Sequence, residues 1–191
     1  MALVLTSGPA SEPVTLSEAK AHLRIDGSAE DVLLTSLMLT SRLHIEAALG
    51  LAMITQSWML VLDRWPGDGS VDIPIAPLQA ITAVRVRNAA GNASVIAPTS
   101  YLVDIASKPP RLVLNTAAPP LPQRVANGIE IDVTAGFGAN AASVPAPLKH
   151  AILMLVAHWY EHRDPVEIGS AAVRIPDAVN DLIQPFRKIR L

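Results

Sequence analysis

The chain has no cysteine, and that absence removes more chemistry than any motif supplies. Disulfides, thiolate metal centres and a cysteine nucleophile are all excluded, and a cysteine-free chain fits a reducing cytoplasm. Aromatic residues are scarce, at 4% of 191 residues. Charged residues make up only 17%, below the roughly 25% usual for soluble domains. Fifteen basic against seventeen acidic residues leave a formal charge of −2, which argues against a protein whose main task is gripping nucleic-acid phosphates. Long apolar runs are missing as well: the longest, Ala151 to Ala157, is far short of the ~20 residues of a membrane helix. The start, Met1 to Leu5, has no basic region and too short an apolar run for a signal peptide. The expectation is a chain with no membrane partner. Half of its residues are hydrophobic, so it has ample surface to bury. So little charge also suggests that part of the surface is hidden against other subunits.

The pattern divides into three zones, set at residues 1–52, 53–140 and 141–191. In the first, Thr15-Leu16-Ser17-Glu18 reads as a capping box, in which the Thr hydroxyl accepts from a free amide and Glu18 reaches back. Asp26-Gly27 breaks this helix, Ser28 can cap the next, and Leu34, Met38, Ile45 and Leu49 recur near helical spacing until Gly50. The second zone changes period. Short runs at 58–62, 71–75, 81–87, 101–104, 111–114 and 128–133 are separated by Gly, Pro and Asn, which predicts five to seven antiparallel strands. In the third, Leu148, Ile152, Leu155 and Trp159 share one face of a helix over 145–162, apolar enough to be central. A last short helix opens at Pro176-Asp177 and ends before Pro185, leaving the basic, amphipathic tail Phe186 to Leu191. The predicted fold class is α+β, mainly helical: N- and C-terminal segments form an antiparallel helical bundle with an antiparallel β lobe inserted between them.

Candidate chemistry is thin. There is no nucleophile elbow, no P-loop and no dinucleotide fingerprint. His158-Trp159-Tyr160-Glu161-His162 matches H-x-x-E-H, which would place two imidazoles on one helical turn with Glu161 as base of a zinc hydrolase. A third ligand would have to come from Asp164, Glu167, Asp177 or Asp181, and the motif sits at a helix C-terminus, where histidines suit the negative dipole end. Asp63, Asp68 and Asp72 lack EF-hand spacing and read as turn residues. Trp58, Trp65 and Trp159 read as packing residues, and His22, His44 and His150 as structural histidines. The balance is a chain with no catalytic, cofactor or metal residue to name, more an assembly component than an enzyme.

The order of segments carries a further signal. Leu16 to Asp26 is followed by Glu30-Asp31 opening a helix with Ile45-Glu46. Then come Thr55 to Trp58, Trp65-Pro66, Ile73-Pro74 and Pro77-Leu78. Tyr101 to Asp104, Val133 to Gly138, Val144-Pro145, Leu148 to Ile152, His158 to Arg163, Ile175-Pro176 and Pro185 to Arg187 complete the series. In this order the chain resembles the head–tail connector (adaptor) proteins of tailed bacteriophages and of gene transfer agents. The resemblance implies a homo-oligomeric ring of twelve subunits in the particle neck. The ring would lie between the portal protein and a stopper or tail-terminator protein, with DNA passing through the lumen without sequence-specific binding. It also implies assembly in the host bacterial cytoplasm, no cofactor, and portal contact through Pro185, Phe186, Arg187, Lys188, Ile189, Arg190 and Leu191. The alternatives are another neck or tail-completion protein and the zinc hydrolase.

Overall fold

A computed structural model describes residues 1–116, 119–162 and 176–187. The chain forms two compact units, one of Met1–Pro9 with Gly50–Phe137 and one of Ala10–Leu49 with Gly138–Leu191.

The first unit is β. Strands β1 (Ala2–Ser7), β2 (Gln56–Leu62), β4 (Leu78–Arg87), β5 (Ala93–Val95) and β8 (Ile129–Ala135) form a five-stranded sheet in the order β1-β2-β8-β4-β5. Strands β3 (Ser70–Asp72), β6 (Tyr101–Asp104) and β7 (Arg111–Leu114) form a second sheet in the order β3-β7-β6. Every pairing in both sheets is antiparallel. Alternation sorts the large sheet's faces. Leu60, Val84, Val86, Ile129, Ile131 and Val133 turn inward to a core with Leu112, Val71 and Ile73 of the smaller sheet's segments. Trp65 joins this core and satisfies its indole N–H on the Pro120 carbonyl at 2.9 Å.

The second unit holds the helices α1 (Leu16–Leu23), α2 (Asp31–Leu49), α3 (Ala146–Glu161) and α4 (Asp177–Ile183). Helix α3 contacts each of the other three, and its Leu148, Ile152 and Leu155 are almost wholly buried. The capping box forms as expected: Glu18 N–H donates to the Thr15 hydroxyl at 3.2 Å and Thr15 N–H donates to the Glu18 carboxylate at 2.7 Å. Arg24, in the left-handed region at φ 57°, ends α1.

The α+β class is correct, while the finer expectation of a mainly helical chain is not confirmed: the described residues are 34% helix and 28% strand. Two strands lie outside the predicted set. Ala2–Ser7, assigned by sequence to the helical zone, pairs with β2 in the β unit. Ala93–Val95, hidden behind the Asn88–Asn92 turn, pairs with Arg85–Arg87.

Candidate assembly surfaces

The H-x-x-E-H segment occupies the last turn of α3 and the residue after it. The His158 and His162 rings lie 4.8 Å apart, tilted by 38°, and the His162 Nδ1 sits 2.9 Å from the His158 carbonyl oxygen. Burial, with the neighbouring His162 second, holds the His158 imidazole below its ordinary value. His22 and His150 meet edge to face at 6.1 Å, and with His158, Met154, Glu161 and Pro176 they line an open depression. Among the described residues no group of three His, Asp or Glu side chains is placed to hold a metal ion. Asp164 and Glu167 lie outside the described residues, and Asp177 and Asp181 sit on α4. The zinc geometry is therefore not assembled by the described residues.

The predicted portal-contact segment begins just after α4. Pro185 and Phe186 lie in a short 3-10 turn, Gln184–Phe186, and the Arg187 guanidinium donates to the Asn180 side chain at 3.1 Å. Lys188, Ile189, Arg190 and Leu191 lie outside the described residues.

A surface that the sequence reading missed runs along α2. This helix is long and apolar enough, by length and composition alone, to cross a membrane. Its buried stripe is Leu34, Met38, Ile45 and Leu49, as the spacing predicts. The opposite face exposes Val32, Leu39 and Leu43 at 86%, 42% and 50%, interspersed with Thr35, Ser36, Thr40 and Ala47. Spacings of seven and four place the three large residues in one stripe. The hydroxyls of Thr35 and Thr40 donate back to the Asp31 and Ser36 carbonyls at 2.7 and 2.8 Å. Asp31, Arg42 and Glu46 of the helix are held in ion pairs, and His44, also exposed, meets the Trp159 ring. Asp31 takes Lys20 at 2.7 Å, and Arg42 takes Glu12 at 2.8 Å and Glu46 at 2.7 Å. This face therefore presents Val32, Leu39 and Leu43 beside two hydroxyls satisfied within the helix, with little charge. Sequence periodicity could not separate this face from the core stripe, because both are apolar.

Two of the three tryptophans also find clear partners. Trp159 meets His44 edge to face at 5.8 Å, and Trp65 lies in the β core. Trp58 packs against that core, but its indole N–H has no hydrogen-bond partner among the described residues.

A family model described as "Phage gp6-like head-tail connector protein" matches residues 13–94. A chain in a solved structure titled "Neck of empty GTA particle computed with C6 symmetry" is 30% identical, with a TM-score of 0.84. One in "Virion of native gene transfer agent (GTA) particle" is 30% identical with a TM-score of 0.85. A third, in "Neck of native GTA particle computed with C12 symmetry", is 29% identical with a TM-score of 0.81. Each of these matches covers 100% of this chain and 97% of the other. Among curated proteins none matches.

Proposed function

Because the chain belongs to the phage head–tail connector family, we propose that it works as a ring-forming adaptor in the neck of a phage or gene-transfer-agent particle, joining portal to tail by packing rather than by catalysis. The observation that carries this reading is the exposed apolar stripe of α2, together with end-to-end similarity to chains from particle necks. A closed ring needs a heterologous contact, with two different patches on each subunit. The α2 face supplies one. The symmetry of the related necks, computed as C6 and C12, supports a homo-oligomeric ring and suggests twelve copies.

In this reading Pro185 to Leu191 dock on the portal, with Phe186, Ile189 and Leu191 giving apolar contact and Arg187, Lys188 and Arg190 giving charge. The opposite end of the ring meets a stopper or tail-terminator protein. DNA passes through the lumen without tight binding, which the net charge of −2 suits. Assembly takes place in the host bacterial cytoplasm. No residue is assigned a catalytic, cofactor or metal role. Deleting residues 186–191 tests the docking segment: the shortened chain should fold and fail to join the portal. Particles that assemble normally around it would contradict the assignment.

A further inference from the structure

Among the described residues the large β-sheet ends in two edge strands, β1 and β5, with no further strand paired outside them and no charge or proline in either. Natural edge strands are blunted by Lys, Pro, bulges or extreme shortness, because an open edge offers a row of backbone donors and acceptors to any extended chain. Strand β1, Ala-Leu-Val-Leu-Thr-Ser, has six residues and carries neither charge nor proline. All of its residues but Leu3 are exposed, and its single irregularity in register lies at the far end, between Leu5 and Ser7. Strand β5, Ala-Ser-Val, is short but wholly exposed and also uncharged.

The side chains sharpen the point. Register places Val4 beside Met59, Met59 beside Asp132, and Ala2 in line with Val61, Glu130, Arg85 and Val95. Val4 and Val95 therefore stand on the same face of the sheet, at its two opposite edges. They are 45% and 68% exposed. On that face the charges sit in the middle of the sheet, where Arg85 pairs with Asp132 at 2.7 Å and Arg87 with Glu130 at 2.6 Å. A sheet that ended in solvent would be expected to place charge at its rims and apolar residues in its centre. This one does the reverse, as it would if its rims were continued by further strands.

Strand direction then selects the partner. Each neighbouring pair across the sheet is antiparallel, so β1 and β5, four steps apart, run the same way. The operator of a twelve-fold ring turns a strand by about 30° at most, close to the ordinary twist between adjacent strands. Copies related in this way would present β1 of one to β5 of the next in parallel. A two-fold pairing of β1 with β1 would be antiparallel and would use one patch twice, which no ring can propagate.

We propose that β1 of one copy adds to the β5 edge of its neighbour, so that the sheets of adjacent subunits continue into one another and supply a heterologous contact of the ring. This rests on the ring reading above and names a contact within it. Backbone hydrogen bonds would provide the adhesion, and Val4 and Val95 would pack side by side.

The absence of native cysteine gives a clean test. Adjacent strands lie about 4.7–4.9 Å apart, which brings neighbouring Cβ atoms near disulfide distance. The full-length double variants Val4→Cys/Val95→Cys and Ala2→Cys/Val95→Cys, which sample two registers, would be oxidised mildly in purified particles. The products would be run without reductant and the same particles imaged. At least one double variant should give a ladder of covalent multimers extending beyond the dimer, and each single variant should stay monomeric. Two results would overturn the proposal: monomers only from both double variants in particles whose necks contain the ring, or dimers from Val4→Cys alone. Necks without this chain would instead overturn the ring reading on which the proposal stands.

Discussion

The Nε of Arg42 lies 2.8 Å from a carboxylate oxygen of Glu12, 30 residues earlier in the chain. The same guanidinium donates to Glu46 at 2.7 Å, and both Arg42 and Glu46 are buried. Burial by itself would lower the Arg42 value, but the hydrogen bond to Glu12 and the charges of Glu46 and Glu12 outweigh it and leave the guanidinium raised. Removing the cation takes the Arg42 guanidinium away from the buried Glu46 carboxylate. Arg42→Ala should therefore cost about 3–5 kcal/mol in urea unfolding. The double change Arg42→Met/Glu46→Leu should recover most of that loss, since no buried charge is left alone. If the double variant is no more stable than Arg42→Ala, the ion pair is not what fixes this part of the fold.

Asp104 predicts a pH dependence. The Ser107 hydroxyl donates to it at 2.6 Å, Arg111 at 3.0 Å and the Ser107 amide at 3.1 Å, and together they hold the carboxyl at about 2 against an ordinary 3.8. The folded value is depressed, so the stabilisation is fully present above about pH 4 and is lost as pH falls toward 2. Carboxyl-carbon NMR should show Asp104 still ionised at pH 3. Ser107→Ala should move its midpoint upward. A wild-type midpoint near 4 would contradict the assignment.

Leu155 and Leu39 form a matched pair of opposite environments, one 0% and the other 42% exposed. Leu155→Ala should cost about 2–5 kcal/mol, and Leu155→Asp more, because an unpaired carboxylate would be buried. Leu39→Asp should leave the thermal stability of the isolated chain within about 1 kcal/mol of wild type while reducing its incorporation into particles. Normal incorporation of Leu39→Asp would mean that the α2 face is not an interface.

Gly136 has φ +139°, and a Cβ there would meet the backbone of Ile54 and Thr55 at 2.7 Å. Gly136 N–H also donates to the Pro77 carbonyl at 2.9 Å, so this residue cannot simply move away. Gly136→Ala should destabilise by more than about 1 kcal/mol, read as a lowered urea midpoint. Gly91→Ala, with positive φ but open space around it, should cost less.

The helices were legible in the sequence because their signals are local. The Thr15/Glu18 box, the Leu148-Ile152-Leu155-Trp159 spacing and the proline-bounded last helix are each contained within a few turns. Strands β6 and β7 were found to the residue, since turn residues flank them. Strand β1 was not, because its partner β2 is about fifty residues away and its apolar run has no alternation to mark a face. The exposed apolar face of α2 escapes sequence reading for a related reason. Leu39 and Leu43 look in sequence like Leu34 and Leu49, and only burial separates them. The H-x-x-E-H pattern was visible, but a motif of three fixed positions carries no information about a third ligand.

Imaging the particle neck at side-chain resolution bears most directly on the central claim. The account predicts a ring of this chain beneath the portal, with Val32, Leu39 and Leu43 covered by a neighbouring copy and Pro185 to Leu191 seated on the portal. A neck lacking this chain, or a ring in which the α2 face remains in solvent, would contradict it.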